Sequence, residues 1–437
     1  MKEQRKIPVT KVQRASKFFK TGAKVGGNYI KHYSKKLFNP ELSNDELHEN
    51  NAEDIYDSLS QLKGGALKIA QMLSMDKNIL PTAFQDKFAM AQYSAPPLSY
   101  PLVVKTFHEY FGKGPNDLFD TFTRQAVNAA SIGQVHQATI NGKKLAVKVQ
   151  YPGVRDSIYS DLKMVRPMAT AMFKMNPKDV DLFADEVAGK LIEETDYLLE
   201  LNRSMELTSL CKHLDGVVFP NYYPEFSAER VLVMDWIEGM HLREWVKTNP
   251  SQEERNRIGQ LLWDFYDYQI HELKQLHADP HPGNFIITPN NELAIIDFGC
   301  IKVIPEDFYD KFFQVMQLDI ANTKVDVEPM FEEMGFLSEH DTPDQRVFFT
   351  KLFKEMIELL NRPFHTATFD FGDDNYFKEI FAIGERVSKM KEVRNSRTAR
   401  GHKDGIYINR TYFGLYTLLN DLQSEIYTRK EVVAKVS

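Results

Sequence analysis

An aspartate and an asparagine five residues apart, followed by a second aspartate, stand in His277-Ala278-Asp279-Pro280-His281-Pro282-Gly283-Asn284 and in Asp297-Phe298-Gly299. Carboxylate and carboxamide oxygens are the donors that hold Mg²⁺ on nucleotide phosphates, and phosphoryl transfer to a hydroxyl needs a further carboxylate near the attacking oxygen. On that chemistry Asn284 and Asp297 are candidate metal ligands, and Asp279 is the candidate base or substrate-positioning carboxylate. The bland alternative is a polar turn with a coincidental Asp-Phe-Gly. The length of the motif and the hairpin pattern between its two halves argue against it. His277 and His281 flank Pro280, a spacing unsuited to a helical zinc pair, so His277 is read as ordering the loop.

A lysine upstream completes the set. Ala146-Val147-Lys148 ends a strand that follows a small-residue turn, Asn128-Ala129-Ala130-Ser131-Ile132-Gly133. That order suits a loop covering nucleotide phosphates, with Ala129, Ala130, Ser131 and Gly133 lining it and Lys148 reaching the phosphates. The loop carries one glycine, and its alanines restrict close backbone approach. Lys148 needs a carboxylate to hold it. Over Asp179 to Met205 the pattern is helical, with Glu193, Asp196 and Glu200 on one face and Glu194 rotated by about 100°. Glu200 is the favoured partner and Glu194 the alternative; a solvated acidic face is the structural reading of the same residues. The buried strand Arg230 to Asp235 contains Met234 and leads into Trp236-Ile237-Glu238-Gly239, a hinge whose backbone is placed to bind adenine.

These residues need a particular frame. A strand, the small-residue turn, a strand over Val135 to Ile140, an Asn141-Gly142 hairpin and a strand over Leu145 to Val149 make a small β region. It is preceded by helical patterns through Ile55, Leu59, Leu62, Ala66, Ile69 and Leu73 and over about Pro101 to Phe111, with a polar linker around Asn39 to Asn51. The remainder is mainly helical, interrupted by a hairpin over Phe285 to Thr288 and Leu293 to Ile296. The fold class is α+β. Boundaries are expected at 1–44 (basic segment), 45–120 (helical extension), 121–237 (N-lobe) and 238–437 (C-lobe). On the extension, Gln61, Gly64, Lys68 and Gln71 share one helical face, a glycine gap beside a lysine and a glutamine. After Gly299 only Cys300 to Ile304 precede Pro305-Glu306, a helix start, leaving no long segment on which a protein substrate would dock. A small molecule, a lipid or water is the implied acceptor.

With 437 residues, 43% hydrophobic and 12% aromatic, the chain is no rod, disordered tail or disulfide miniprotein. No run of about 18 uncharged apolar residues occurs. Cys211 and Cys300 lie far apart and form no metal-binding cluster, which points to a reducing compartment. The net charge of −7 is uneven: residues 1–36 hold eleven Lys or Arg against Glu3 alone. That segment is therefore +10 and the remainder −17. Val12, Ala15, Phe19, Gly22, Gly26, Tyr29 and Tyr33 recur at helical spacing among these cations, a basic amphipathic helix. It suits either packing on its own domain or contact with an anionic membrane or partner. The expected location is cytoplasmic and peripheral to a membrane, and nucleic acid is not an expected partner.

The chain resembles the UbiB-like (AarF/UbiB) family of atypical kinases, most strongly over Ala129–Gly153 and His277–Gly299. Its alanine-rich loop maps to Asn128-Ala129-Ala130-Ser131, its ExD motif to Glu194-Thr195-Asp196 and its KxGQ motif to Lys68-Ile69-Ala70-Gln71. Ala70 and Asn128 depart from the family's glycine and alanine. The resemblance implies a bilobal protein-kinase-like fold, ATP or ADP and Mg²⁺ as cofactors, and Lys68, Gln71 and Asp196 gating the pocket. It also implies lipid or quinone precursors, and quinone-pathway enzymes, as partners. The implied activity is ATP hydrolysis or transfer in isoprenoid quinone biosynthesis or lipid homeostasis; the alternative is a non-catalytic, ATP-responsive scaffold or chaperone.

Overall fold

The computed structural model describes residues 11–38, 43, 45–62, 87, 97–129, 132–173, 188–189, 191–318, 320, 325–394 and 400–429. The chain divides into two compact units, Met1–Met205 with Asn221–Trp236, and Glu206–Pro220 with Ile237–Ser437. Within the stretch 121–237, read from sequence as one lobe, the excursion Glu206–Pro220 groups with the second unit. That excursion joins the second unit because its strand pairs there.

In the first unit, helices α1 (Lys11–Phe38) and α2 (Asp45–Leu62) pack against each other. The expected linker to Asn51 ends earlier, since α2 already runs from Asp45, with Leu47 and Asn51 buried. The face of α1 that turns inward is Arg14, Phe18, Thr21, Val25 and His32. The apolar stripe read from sequence, which leaves own-domain packing and membrane or partner contact both open, lies one residue further on and faces out: Val12 and Phe19 are each 79% exposed. Polar pairs select the buried face: Thr21 Oγ1 lies 2.6 Å from Ser58 Oγ, and Asn28 Nδ2 donates to Asn51 Oδ1 and Asp54 Oδ2.

Arg14, counted among the surface cations by charge alone, is buried. Its Nε and Nη2 donate to the two carboxylate oxygens of Asp161, each at 2.6 Å, and Nη1 donates to Leu62 O at 2.8 Å. A guanidinium fork fits a carboxylate bidentately, and the third donor satisfies a carbonyl at the end of α2 that has no partner within its own helix. Asp161 lies on α4 (Val154–Phe173), so one arginine ties α1 and α2 to it. An ammonium cannot reproduce that geometry. Arg14→Lys is expected to cost about 2 kcal/mol and to lower the midpoint of thermal unfolding by a few degrees; an unchanged midpoint would show that the fork holds nothing.

Helix α3 (Tyr100–Phe111) precedes a five-stranded sheet made of β1 (Thr121–Phe122), β2 (Asn128–Ala129), β3 (Gly133–Ile140), β4 (Lys143–Gln150) and β6 (Val231–Asp235). The order β1-β3-β4-β6 is antiparallel throughout, and β2 also pairs with β3. Period-2 alternation gives β4 two faces. Leu145, Val147 and Val149 join Val231 and Val233 in a core with Val103 and Phe107 of α3. Lys148 points the other way, the side on which Leu232 meets Tyr197 and Leu201 of α5 (Tyr197–Cys211).

The long helix expected over Asp179 to Met205 is interrupted. Thr195 is a turn and Asp196 is non-helical, with α5 starting at Tyr197. Asp196 causes the break: its Oδ1 accepts from Leu199 N at 3.0 Å, an N-cap that ends one helical segment and starts the next. Glu193, Asp196 and Glu200 therefore do not share the single helical face that continuous periodicity implied.

In the second unit, β5 (Val217–Val218), β10 (Leu293–Ile295), β9 (Phe285–Ile287) and β7 (Met240–His241) form one sheet in that order. Strands β8 (Gln275–His277) and β11 (Ile301–Val303) form another, and β12 (Thr368–Asp370) pairs with β13 (Glu425–Tyr427). The helical core is built on α6 (Gln252–His271), whose start is closed by a Ser251/Glu254 capping box. Helices α7 (Glu306–Met316), α8 (Pro343–Asn361), α9 (Asp374–Lys389) and α10 (Lys403–Leu422) follow, and α10 packs on α6.

Candidate functional site

Within the second unit, three turns converge. The loop after β8 holds Asp279 and Asn284, and the hairpin β9–β10 returns the chain to Asp297. Ile296 N donates to Asn284 O at 3.1 Å, which brings Asn284 beside the residue preceding Asp297. Asn284 Nδ2 donates to Asp279 O at 3.0 Å and lies 3.5 Å from Asp279 Oδ2. Asp297 Oδ1 accepts from Gly299 N at 2.9 Å, which fixes the carboxylate over its own turn. The structure thus brings Asp279, Asn284 and Asp297 together from residues 18 apart in sequence.

His277 is the post on which the loops hang. It is fully buried, and Nε2 contacts Asp297 O at 2.7 Å while Nδ1 contacts the Tyr266 hydroxyl at 3.0 Å. The Asp297 carbonyl only accepts, so Nε2–H donates and Nδ1 accepts from Tyr266. Burial pushes the Tyr266 hydroxyl well above its ordinary pKa, with Asp279 and Cys300 adding to the effect, so it stays a donor. Gln269 Oε1 accepts from His277 N, and Ala278 N donates to Cys300 O, extending the β8–β11 pairing. These supports, Tyr266 and Gln269 on α6, carry no motif and are not evident from sequence. A further one is Gly414 on α10, where a Cβ would overlap the ring of Pro280.

Both ring nitrogens of His277 are occupied, and His281 Nδ1 accepts from Gly283 N. With its amide nitrogen turned to the loop, Asn284 offers Oδ1, and the Asp297 carboxylate offers oxygen. The donors are hard oxygens, a set that fits Mg²⁺ rather than zinc.

The first unit holds the lysine. Lys148 Nζ donates to Glu200 Oε1 at 2.7 Å and Oε2 at 3.0 Å, with the two side chains 17% and 3% exposed. Lys148 meets Glu200, the favoured of the two carboxylates. Glu194 is buried just before the break, and Asp196 caps α5 and lies 3.5 Å from Arg155 Nη1. Ala129 sits in β2 opposite Gln134, and its N–H lies 2.8 Å from Asn128 Oδ1, a contact the family's alanine has no atom to make. Ala130, Ser131, Lys68 and Gln71 lie outside the described residues.

The two residues expected at the hinge are held by strand pairing. Trp236 N donates to Lys144 O at 3.1 Å, and Met234 is engaged in the β4–β6 ladder opposite Ala146, with Tyr222 bridging it as well. Strand pairing has claimed the Trp236 N–H, so that group is not a donor for a base.

Buried polar residues next to the loop also escaped the motif reading. Gln134 Oε1 accepts from Leu98 N at 2.6 Å, and its Nε2 lies 2.8 Å from His136 Nε2. His136 Nδ1 in turn contacts Thr123 O at 2.7 Å. Burial pushes the His136 pKa down, against the opposing effect of the Thr123 carbonyl. The neutral ring donates from Nδ1 and accepts from Gln134 at Nε2.

A family profile described as the ABC1 atypical kinase-like domain matches residues 90–330, more than half of the chain. The chain belongs to this atypical kinase-like family. Its relatives include COQ8 and AarF-domain proteins, the UbiB group that the motifs resemble. It is 29% identical to "Atypical kinase COQ8B, mitochondrial" of Danio rerio, over 87% of this chain and 62% of that protein, so it spans less than two thirds of that relative. It is 25% identical to "Atypical kinase COQ8, mitochondrial" of Saccharomyces cerevisiae, over 97% of this chain and 84% of that one. A solved structure of Rv3197 from Mycobacterium tuberculosis in complex with erythromycin superposes with a TM-score of 0.59 at 27% identity, covering 88% of this chain and 95% of that one. The fold is accordingly kinase-like and α+β, with a small antiparallel sheet.

Proposed function

We propose that this ABC1-family protein is a Mg²⁺- and ATP-dependent ATPase or phosphotransferase acting on a small-molecule or lipid acceptor, in support of isoprenoid quinone biosynthesis or lipid homeostasis at a membrane. The observation that carries the reading is the joining of Asp279, Asn284 and Asp297 by short backbone links within one unit. In this reading Asn284 and Asp297 hold the metal, Lys148 kept in place by Glu200 engages the phosphates, and Asp279 orients the attacking hydroxyl or water. Bound Mg²⁺ would supply charge neutralisation at the transferring phosphoryl group. The short stretch after Gly299 supports the acceptor class: β11 pairs straight back onto β8, and only Cys300 to Pro305 precede α7. ATP turnover by the full chain, with and without anionic liposomes and quinone-precursor mimics, is the test. Asp279→Asn is expected to retain nucleotide and lose turnover by about a hundredfold, the lower end of the range for a positioned acid or base. Nucleotide binding without any turnover in the parent protein would favour the scaffold reading instead.

The membrane part of the proposal rests on α1. Phe19 and Tyr33 project from it alongside the exposed Lys20, Lys31 and Lys35. No helix among the described residues is long and apolar enough to cross a bilayer. Each lysine that reaches an anionic surface contributes about 1 kcal/mol, screened by salt. Replacing Lys20, Lys31 and Lys35 by Glu in the full chain is expected to abolish flotation with anionic liposomes at low salt. Undiminished flotation would remove α1 from the interface.

A further inference from the structure

We propose that Tyr197 is a positioning residue for the phosphate end of the nucleotide site, setting at once the place of the Lys148 ammonium and the room beneath the Gly133 turn. The inference rests on the nucleotide-binding reading above. Tyr197 is fully buried at the first position of α5, held there by the Asp196 cap. Lys148 Nζ lies 5.0 Å from the centre of its ring, within reach of the negative face of the π system. One turn along the same helix, Glu200 takes the same ammonium with both carboxylate oxygens. The carboxylate fixes the direction of the ammonium and the ring supports it from a second side, so the lysine has two independent constraints.

The far end of the same side chain meets the loop. A Cβ built on Gly133 would lie 2.6 Å from Tyr197 Oη and 2.9 Å from Val149 O. Gly133 is not among the glycines with positive φ, so it is glycine for want of space and not for backbone freedom. It opens β3 as the chain leaves the small-residue turn, opposite Gln150 in β4, and Gln150 Nε2 donates to Thr195 O just ahead of Tyr197. One aromatic ring therefore spans from the glycine that closes the turn to the lysine assigned to the phosphates. Beside its packing on Leu201 and Leu232, its ring and hydroxyl reach two parts that would meet phosphate, Lys148 and Gly133.

Calorimetric titration of the full chain with Mg–ATP, Mg–ADP and adenosine tests this. Tyr197→Phe keeps the ring under Lys148 and loses the hydroxyl; Tyr197→Leu loses both. Adenosine affinity is expected to stay constant, while ATP and ADP affinities fall about threefold in the Phe variant and about tenfold in the Leu variant. Gly133→Ala is expected to weaken ATP binding in the parent and to weaken it less in the Tyr197→Phe background, the remainder being the contact with Val149 O. If the Leu variant does not fold, the Gly133/Tyr197→Phe cycle decides. Equal losses for adenosine and ATP, unchanged affinities throughout, or additive effects in the cycle would overturn the proposal. Failure of the underlying reading looks different: the parent protein would then bind neither ATP nor ADP.

Discussion

Asp297→Asn is expected to weaken Mg–ATP binding by at least about a hundredfold, and to reduce turnover by more, while leaving the fold intact. The substitution is conservative toward the protein, because an asparagine Oδ1 can still accept from Gly299 N, as the aspartate does at 2.9 Å. The His277 contact is to the backbone carbonyl of residue 297 and does not depend on the side chain. What is lost is a negative charge among oxygen donors, and several kcal/mol of metal-mediated charge stabilisation depends on such ligands. At about 1.4 kcal/mol per decade, a hundredfold is the conservative figure. Calorimetry with ATP, with and without Mg²⁺, separates the outcomes. If the variant binds Mg–ATP as tightly as the parent does, Asp297 is not a metal ligand and the assignment of Asn284 falls with it. If both forms of ATP are lost with a lowered unfolding midpoint, the substitution has damaged the fold and the Gly299 bond is the part to examine.

The parts of the site readable from sequence are those whose geometry is made locally. Asp279, Asn284 and Asp297 are joined by a loop and one hairpin, so their spacing nearly determines their meeting. Lys148 and Glu200 are separated by 52 residues, yet a strand and a helix face could be assigned to each. The elements that misled did so for identifiable reasons. In α1, two stripes one residue apart both recur at helical spacing, with Phe18 on one and Phe19 on the other. The buried stripe carries Arg14, Thr21 and His32, so hydrophobicity alone does not single it out as the packed face. Arg14 reads as a surface cation until Asp161 and Leu62 are brought to it. Around residue 196, helix periodicity continues across a break made by a single side-chain cap, a local hydrogen bond that outcompetes the helix. Tyr197, Gln134, His136 and Tyr266 belong to no motif; their roles arise only when strands and helices distant in sequence are laid together.

Gly414 shows the same point with an effect on chemistry. A glycine in the middle of a 20-residue helix reads from sequence as a weakness, and replacing it by alanine should favour the helix by about 1 kcal/mol. The structure reverses the expected sign for function. A Cβ at position 414 would overlap Pro280 Cγ, and its next contacts are Cβ and Cδ of the same ring, so the whole pyrrolidine blocks it. Pro280 follows Asp279 directly, and His281 N donates to Asp279 O, so the ring cannot retreat without carrying the carboxylate with it. A displacement of about 1 Å at a reacting group can cost about a hundredfold in rate. Gly414→Ala is therefore expected to reduce ATP turnover by about that factor, while the helix gain offsets much of the packing loss and the unfolding midpoint moves little. Comparing kcat with the melting curve of the same preparation is decisive. A variant with parental turnover would show that α10 yields to the methyl group and that the loop does not depend on it. A variant that loses turnover and keeps its melting temperature would place the control of Asp279 in a helix that contributes no residue to the chemistry.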